Sequence, residues 1–418
     1  MRNAALVLGL ATLIWAIPLH ATTLEEAIAA AKEHAPEVEV AEAESDIAKA
    51  RLQQAKSGGR PSATLSGTIG AGRLDPKGYF GLTADNVTPA AAQLVIEQPL
   101  FTGGKVSAGV EQARASMAAA EAGVVATEAN LVANVAGAYG SVIAAETMVG
   151  NYAQLVDETE EIERQARLRF SVGESPRTDV AQAQARTAEA KAGLARSEGQ
   201  LVTARARFRS LTGLEGNDLQ PLPASPLLPA TLDDAVAQAE ANNPQLAQAE
   251  AGVKAAQAGL KGEKADQLPM VSAFAEGAVV RDQFFPGYKA DSATVGVRAR
   301  WQIFSGGRVS GKIAESDARL RVAEAQLRAA QDAIREHVIA AFSGVRTATL
   351  IETAAQEQES AAREALRSVR EEVRVGMKPQ LALLDAEREA IAASAALESA
   401  RTDRIVSAYR LLALVGAQ

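Results

Sequence analysis

The sequence predicts a mainly α-helical protein with a membrane β-barrel, in which each protomer contains two repeats of the order helix, β-hairpin, long helix, helix. Three observations predict this fold class. The chain is internally duplicated, each copy has two segments whose polarity alternates with a period of two, and each copy then enters a helix too long for a compact domain. Alanine supplies about a fifth of the 418 residues and aromatic residues only 4%, which favours closely packed long helices over a large aromatic core.

Residues 1–21 are interpreted as a secretory signal peptide that is cleaved after Ala21. Arg2 supplies a positive charge, the segment from Ala4 to Ile17 is almost entirely apolar, and Pro18 breaks the helix before the cleavage site. The apolar core of about 14 residues is shorter than the roughly 20 that a membrane-spanning helix needs. No other long apolar run stands out, so we expect no transmembrane helix in the mature chain.

The rest of the chain is a tandem duplication. Residues 23–27 (TLEEA) return 208 positions later at 231–235 (TLDDA), and residues 101–105 (FTGGK) return 203 positions later at 304–308 (FSGGR). We expect a first structural repeat over 22–213 and a second over 231–418, joined by a Pro-rich linker over 214–230.

The first helix and the hairpin of each copy follow from local signals. Thr23 and Thr231 are typical N-cap residues, and each is followed by acidic residues. The helices that begin after these threonines are predicted to end before Pro61 and Pro269. The segments after these prolines alternate between apolar and polar side chains, as outer-membrane strands do, although a soluble half-buried sheet alternates in the same way. We expect opening helices over about 24–56 and 232–266 and strands over about 61–72, 90–101, 269–281 and 291–304.

The helices that follow decide between these interpretations of the strands. Those predicted over about 104–170 and 306–374 would each be about 100 Å long at 1.5 Å per residue, and they return through helices over about 178–212 and 380–415. Four strands per chain cannot close a barrel, and lipid does not tolerate open edges. Two chains would supply eight strands, whereas three would supply twelve with room for a pore. We therefore expect a homotrimer.

Composition argues against an enzyme and against a nucleic-acid partner. The chain has no cysteine, three histidines and a formal charge of −8, and its basic residues are scattered. Residues 306–312 have the spacing of a phosphate-binding loop, but Ile313 stands where Ser or Thr must reach the metal. We expect no catalytic residue, no cofactor and no metal site.

At this point the chain resembles the TolC-type outer-membrane efflux and secretion channels, the outer membrane factors, over essentially its whole mature length. The resemblance rests on the FTGGK and FSGGR junctions and on the turns at 170–180 (FSVGESPRTDV) and 373–385 (VRVGMKPQLALLD), in duplicated order. It implies a trimer with a 12-stranded barrel in the outer-membrane lipid of a Gram-negative cell and a long α-helical tunnel in the periplasm.

The same resemblance implies the function. Such a channel is the exit duct of a tripartite efflux or type I secretion system, and it receives substrate from a periplasmic membrane-fusion adaptor and an inner-membrane pump of the ABC or RND type. The alternative is a periplasmic coiled-coil adaptor or structural protein without a transmembrane pore, which would not need two matched hairpins.

The resemblance also implies a periplasmic gate at Asp179, Lys378 and Asp385. Two residues depart from the family pattern, because Ala382 replaces the first aspartate of the aperture and Val373 replaces an aromatic residue. We therefore expect a less acidic and looser gate, with solvated turn charges as the alternative interpretation. The expected adaptor-docking tips, for which ordinary turn formation is the alternative, are Val172, Gly173, Val375 and Gly376, and the expected strand-to-helix junctions are Gly103, Gly104, Gly306 and Gly307.

Overall fold

The computed structural model describes residues 21–75, 85–285 and 287–416, so the predicted signal peptide lies outside the described residues except for Ala21. The elements of the first repeat are α1 Leu24–His34, α2 Pro36–Ser57, β1 Ser62–Ile69, β2 Gly72–Leu74, β3 Asp85–Val87, β4 Ala90–Phe101, α3 Lys105–Ser171 and α4 Arg177–Thr212. Those of the second are α5 Leu232–Asn242, α6 Pro244–Ala265, β5 Met270–Arg281, β6 Lys289–Arg300, α7 Arg308–Arg374 and α8 Gln380–Val415.

The opening segment of each repeat forms two helices, so the single helices predicted over 24–56 and 232–266 are wrong. Proline is the cause. Pro36 and Pro244 each lack an N–H and disfavour helical torsions in the residue before them. Ala35 (φ −72°, ψ 118°) and Asn243 (φ −64°, ψ 125°) are accordingly extended. A new helix then begins at each proline, which suits the first helical position.

The described chain separates into two compact units. The first contains the residues up to Ala35 together with Leu131–Pro226 and Val345–Tyr409, and the second contains Pro36–Asn130, Leu227–Gly344 and the residues from Arg410 onward. The second unit holds a four-stranded antiparallel sheet of order β1-β4-β5-β6. The two hairpins are therefore adjacent, since β4 of the first repeat pairs with β5 of the second along almost its whole length.

Two of the four predicted strands end earlier than expected. The strand predicted to reach residue 72 ends at Ile69, which is opposite Ala90 at the start of β4. The strand predicted to reach residue 304 ends at Arg300, opposite Met270 at the start of β5. Beyond Arg300, β5 offers no further strand residue as a partner. Beyond Ile69, the N–H of Gly70 still donates to the carbonyl oxygen of Pro89 at 2.9 Å, and the pairing then passes to the separate hairpin of β2 and β3.

The first unit is built on helix packing around a buried aromatic pair. Tyr139 of α3 and Phe208 of α4 are buried and meet edge to face, with ring centroids 6.1 Å apart. The hydroxyl of Tyr139 lies 2.8 Å from the carbonyl oxygen of Thr22 and 2.7 Å from that of Gln220. Buried tyrosines usually find such polar partners. The pair therefore ties the segments at Thr22 and Gln220 to α3.

By length and composition alone, α3 and α7 each contain a stretch that is apolar enough to cross a membrane. The expectation of no further apolar run is therefore wrong for these two helices. Both are rich in alanine, whose methyl group contributes to apolarity and also lets helices approach closely.

We predict that Gly193→Ala lowers the stability of the first unit by about 1–3 kcal/mol, because overpacking a helix interface costs this amount. A β-carbon at Gly193 of α4 would overlap the ring of Tyr152 on α3. The measurement is the apparent Tm by circular dichroism in detergent. The matched control is Gly199→Ala on the same helix, where an added β-carbon has no described atom within 4 Å. It should raise stability by up to about 1 kcal/mol through helix propensity. A stabilising Gly193→Ala would contradict the predicted packing.

Candidate functional site

The strand-to-helix junctions of the second unit use glycines in the left-handed region. Gly103 and Gly104 have φ values of 62° and 88°, and Gly306 and Gly307 repeat this with 61° and 88°. The two copies differ in their surroundings. A β-carbon at Gly103 would lie 2.8 Å from Cβ of Leu268, whereas one at Gly306 would have no described atom within 4 Å. The first junction is thus covered by the second repeat, and the second junction is open.

The sheet has one apolar and one polar face. Residues that are directly opposite in register share a face, so Leu65, Leu94, Gly277 and Ala293 lie on the apolar face, which β6 continues with Val295 and Val297. Leu65 is 75% exposed and Val295 84% exposed. Ser66, Gln93, Glu276 and Thr294 represent the polar face. Polar and apolar faces of this kind suit a strand with water on one side and lipid on the other.

The outer edges of this sheet are unpaired. Among the described strands, β1 and β6 each have one neighbour only. Beyond the end of β6 the chain continues with exposed apolar side chains, and Phe304 is 86% exposed. The backbone groups along the outer edges of β1 and β6 therefore lack a strand partner within the described residues, on strands whose apolar face is unsuited to water.

The predicted docking tips lie in the two helix–helix turns of the first unit. Gly173 follows α3 with φ 79°, and Gly376 follows α7 with φ 80°. These positive torsions end the helices, as glycine does at many helix C-termini. Val172 and Val375 are exposed beside them. Each turn therefore presents an apolar side chain to its surroundings.

The predicted gate residues are placed around the same turns, but Lys378 is not paired with an aspartate. Its Nζ lies 2.7 Å from Oε2 of Glu372, on the preceding helical turn. Asp179 lies in the first turn of α4 and Asp385 lies on α8, and both are exposed. Neither aspartate has an ion pair within the part of the chain that the structure describes.

Asp179 and Lys378 are nevertheless brought together at one cavity. This cavity has a volume of about 740 Å³, and its lining includes Asp179, Lys378, Arg169, Arg186 and Arg374. Asp385 does not line it. The charge around the two turns is therefore predominantly basic on the cavity side, and Asp179 is the acidic member of the set.

A three-helix ion cluster, formed by Glu158, Arg370 and Glu387, was not predicted from the sequence. Nη2 of Arg370 on α7 donates to Oε1 of Glu158 on α3 at 2.8 Å and to Oε1 of Glu387 on α8 at 2.6 Å. The side chain of Glu387 is only 7% exposed. One guanidinium thus serves two carboxyl groups, and the cluster links three helices of the first unit.

The two carboxyl groups of the cluster have different pKa values. Burial, followed by the neighbouring Glu158, raises the pKa of Glu387 to about 7. Burial also acts on Glu158, but hydrogen bonds from Glu387 and Gln154, together with Arg370, hold its pKa below the usual value. Oε2 of Glu158 is buried without a hydrogen-bond partner among the described groups, and a proton on Glu387 would supply that donor. The two carboxyl groups therefore share a proton up to a higher pH than two separate glutamates would.

Sequence reasoning missed this cluster because its members come from three helices that are distant in the chain. One local signal was available. Arg370 lies five residues before the turn at 375–379 and Glu387 lies eight residues after it, which is within about two helical turns on each side. An antiparallel helix pair joined by that turn brings such positions to the same level, so opposite charges there are candidates for an ion pair.

Similar proteins share this architecture. Over 94% of its length the chain is similar to the outer membrane channel CmeC of Campylobacter jejuni, with a TM-score of 0.81, 14% identity and 85% of that chain covered. It is also similar to the outer membrane protein VceC of Vibrio cholerae, with a TM-score of 0.75, 18% identity, and 94% and 96% of the two chains covered. These likenesses identify the fold.

Sequence comparison identifies the family. The chain is 29% identical to the outer membrane efflux protein BepC of Brucella suis biovar 1 (strain 1330) over 364 residues, which cover 87% of this chain and 78% of that protein. The family model described as outer membrane efflux protein matches residues 27–214 and again residues 235–417. The fold and the family are those of channels and not of enzymes. The chain therefore belongs to the outer membrane efflux protein family, whose members are transport proteins of the outer membrane with a tunnel in the periplasm.

Proposed function

We propose that this chain forms the exit duct of a tripartite efflux or type I secretion system. In this proposal three copies close a 12-stranded barrel, and the duct receives substrate from a periplasmic adaptor and an inner-membrane pump. The family match supports a channel over the alternative of a periplasmic adaptor without a pore. The single observation that carries the proposal is the pair of unpaired, apolar strand edges, because lipid leaves them no other way to be satisfied.

The duplication suggests how these edges pair. Within one chain, β4 of the first repeat pairs with β5 of the second. The strand equivalent to β4 is β6, and the strand equivalent to β5 is β1, and these two have free edges. The same pairing between copies would join β6 of one chain to β1 of the next. The open junction at Gly306 has the same explanation, since its equivalent Gly103 is covered by the following repeat.

This pairing also accounts for the strand that ends early. In β4, Phe101 is opposite Val271 of β5. Phe304 lies 203 positions after Phe101, and Ala63 lies 208 positions before Val271. The equivalent pair between copies is therefore Phe304 with Ala63 of the neighbouring copy. The segment from Trp301 to Phe304 would then have a backbone partner and would extend β6. Its exposed apolar side chains would face lipid.

Three copies fit the polar face better than two. An eight-stranded barrel has an interior that side chains fill, whereas twelve strands leave space for a pore. The polar face carries Ser, Thr, Gln, Glu and Arg side chains, which require water. A wet lumen therefore favours the larger barrel.

We place the periplasmic gate at the helix turns of the first unit, with Asp179, Lys378 and Asp385 as its charged residues. Lys378 is held over its own turn by Glu372, and an exposed pair of this kind contributes about 0.2–1 kcal/mol. Three copies form a weak latch that adaptor binding can overcome. Three copies of Asp385 would repel one another and attract cations. The exposed Val172 and Val375 would dock the adaptor, and the three-helix ion cluster would hold the helices that end at the gate.

The trimer predicts a specific cross-link between copies. The in-chain pair Ile96–Ala275 is equivalent to Ala299 with Gly67 of the next copy. The natural chain has no cysteine, so Gly67→Cys combined with Ala299→Cys should form disulfides on mild oxidation. Non-reducing electrophoresis should then show monomer, dimer and trimer bands, whereas a two-chain barrel would stop at the dimer.

The control for this cross-link is Gly67→Cys combined with Val295→Cys. Val295 lies four residues from Ala299 on the same strand, which is a displacement of about 13 Å, so no disulfide should form. Within one chain, three strand spacings of about 4.8 Å also keep β1 and β6 too far apart. Equal cross-linking of both pairs, or of neither, would contradict the register.

We predict that Lys378→Ala raises single-channel conductance or open probability in planar bilayers. The substitution removes the ion pair with Glu372, and with it up to about 1 kcal/mol per protomer from the conformation of the turn that the structure describes. Glu372→Gln should act in the same direction. Lys191→Ala is the matched control, since Lys191 forms a similarly exposed ion pair with Glu160 away from the turns. Conductance and opening that stay unchanged in both gate variants would contradict the latch.

The three-helix ion cluster predicts a pH dependence of stability. The pKa of Glu387 is raised in the folded state to about 7. The protonated Glu387 therefore stabilises the folded state fully below the pKa of the unfolded chain, about 4.5, and this stabilisation is lost as the pH rises through about 7. The free energy of unfolding should differ between these two pH limits by an amount on the order of 3 kcal/mol. Glu387→Gln should flatten the change in apparent Tm between pH 5 and 8. An unchanged slope in Glu387→Gln would refute the shared proton.

A further inference from the structure

The polar face of the sheet carries an asymmetric set of charges. Within the strands that the structure describes, it holds Glu97 of β4, Glu276 of β5, and Arg298 and Arg300 of β6. The two arginines occupy the last two polar-face positions of β6, where the strand leads towards α7. Glu276 is opposite Thr294, which lies four residues before Arg298 on β6. Glu276 is therefore separated by about 13 Å along the strand from Arg298, the nearer of the two arginines.

The carboxylates of this face have neutral partners. Oγ of Ser272 donates to Oε1 of Glu97 at 2.6 Å, and Nε2 of Gln93 donates to Glu276. Neither Arg298 nor Arg300 has an ion pair within the described residues. Two guanidinium groups are therefore left without a counter-charge on the face that would meet water.

Arg298 is held in place by an aromatic ring. Its guanidinium carbon lies 4.5 Å from the centroid of Phe274 on β5. Phe274 is directly opposite Gly296 of β6, and a β-carbon at Gly296 would lie 3.1 Å from Cε1 of that ring. The glycine thus leaves space for the ring to lie across β6. A guanidinium stacked on a ring keeps its in-plane N–H groups free to bind a carboxylate or a phosphate.

The arginines line a cavity of about 630 Å³, together with Glu97, Ser272 and Lys105. Lys105 is neutralised by Asp266, whose carboxylate lies 2.6 Å from its Nζ. The cavity therefore has one carboxylate, already hydrogen-bonded, against two guanidinium groups without counter-ions. Its electrostatic balance favours a negatively charged occupant.

We propose that Arg298 and Arg300 form an anion-attracting belt inside the barrel, at the end of the strands that continues into the helices. The proposal rests on the trimeric barrel proposed above, in which three copies contribute six guanidinium groups to one ring. Rings of arginine or lysine favour anions in pores, and lumen substitutions tune selectivity in barrels. The barrel would accordingly pass anionic solutes, with carboxylate or phosphate groups, more readily than cationic ones.

The test is the chloride-to-potassium permeability ratio, measured from the reversal potential of the natural channel in planar bilayers under a KCl gradient. Arg298→Gln combined with Arg300→Gln should lower this ratio severalfold, and Phe274→Leu should lower it by a smaller amount. The control is Lys289→Gln, which removes one positive charge from the same strand but from the opposite face. It should leave the ratio unchanged. An unchanged ratio in the double arginine variant would overturn the belt.

A second variant separates charge from recognition geometry. Arg298→Lys combined with Arg300→Lys should preserve the ratio, because both charges remain. Block by inorganic pyrophosphate should weaken, because lysine lacks the planar fork of arginine. Equal block of the natural, lysine and glutamine channels would contradict binding at the belt.

Each variant is first checked as an SDS-resistant trimer. If the natural protein forms no conducting channel, the proposed function itself fails. A conducting channel with an unaltered ratio overturns only the belt.

Discussion

Backbone hydrogen bonding in a solvent that offers none is the constraint on which this structure depends. The four-stranded sheet has an apolar face that suits lipid, yet β1 and β6 each keep one edge without a partner within the chain. Such an edge is unfavourable in lipid, because each unsatisfied N–H or C=O group there costs roughly several kcal/mol of free energy. The sheet is therefore open as described in a single chain, and the proposed closure by further copies would satisfy both edges at once.

Duplication makes that closure simple. The contact between β4 and β5 joins the first repeat to the second, and the same contact made between copies joins the second repeat to the next first one. The glycine junctions follow the same logic, because the torsions of Gly103 and Gly104 recur almost unchanged at Gly306 and Gly307. One packing solution is therefore used within the chain and, in the proposed assembly, between chains. The polar lumen and its arginines depend on that closure.

Much of this fold can be predicted from the sequence because its signals are local and repeated. Alternating polarity predicts the faces of the strands, and the lengths of the helical segments predict α3 and α7 closely. The errors have local causes as well. Pro36 and Pro244 are helix boundaries inside segments that otherwise have helical composition, and composition alone does not reveal them. The predicted end of β6 at residue 304 lies beyond the last pair with β5, and in the proposed assembly the segment from 301 to 304 would pair with another copy.

The charged residues were harder to predict. The resemblance predicts a gate at Asp179, Lys378 and Asp385. The ion pair between Lys378 and Glu372 is seen only in the structure. The same is true of the cluster of Glu158, Arg370 and Glu387. Such contacts depend on the rotation of each helix about its axis, which weakly amphipathic, alanine-rich sequences specify poorly. Likewise, the stacking of Arg298 on Phe274 depends on the register between β5 and β6, which the alternation of polarity does not determine.

In the proposed assembly, three copies complete the barrel through the pairing of β6 with β1. A cryo-electron microscopy structure of the purified protein in lipid nanodiscs would show this pairing. We expect a threefold assembly with twelve strands, in which β6 continues to Phe304 opposite Ala63 of the neighbouring copy. A monomer, a closed eight-stranded dimer, or a β6 that still ends at Arg300 with its edge unpaired would contradict it.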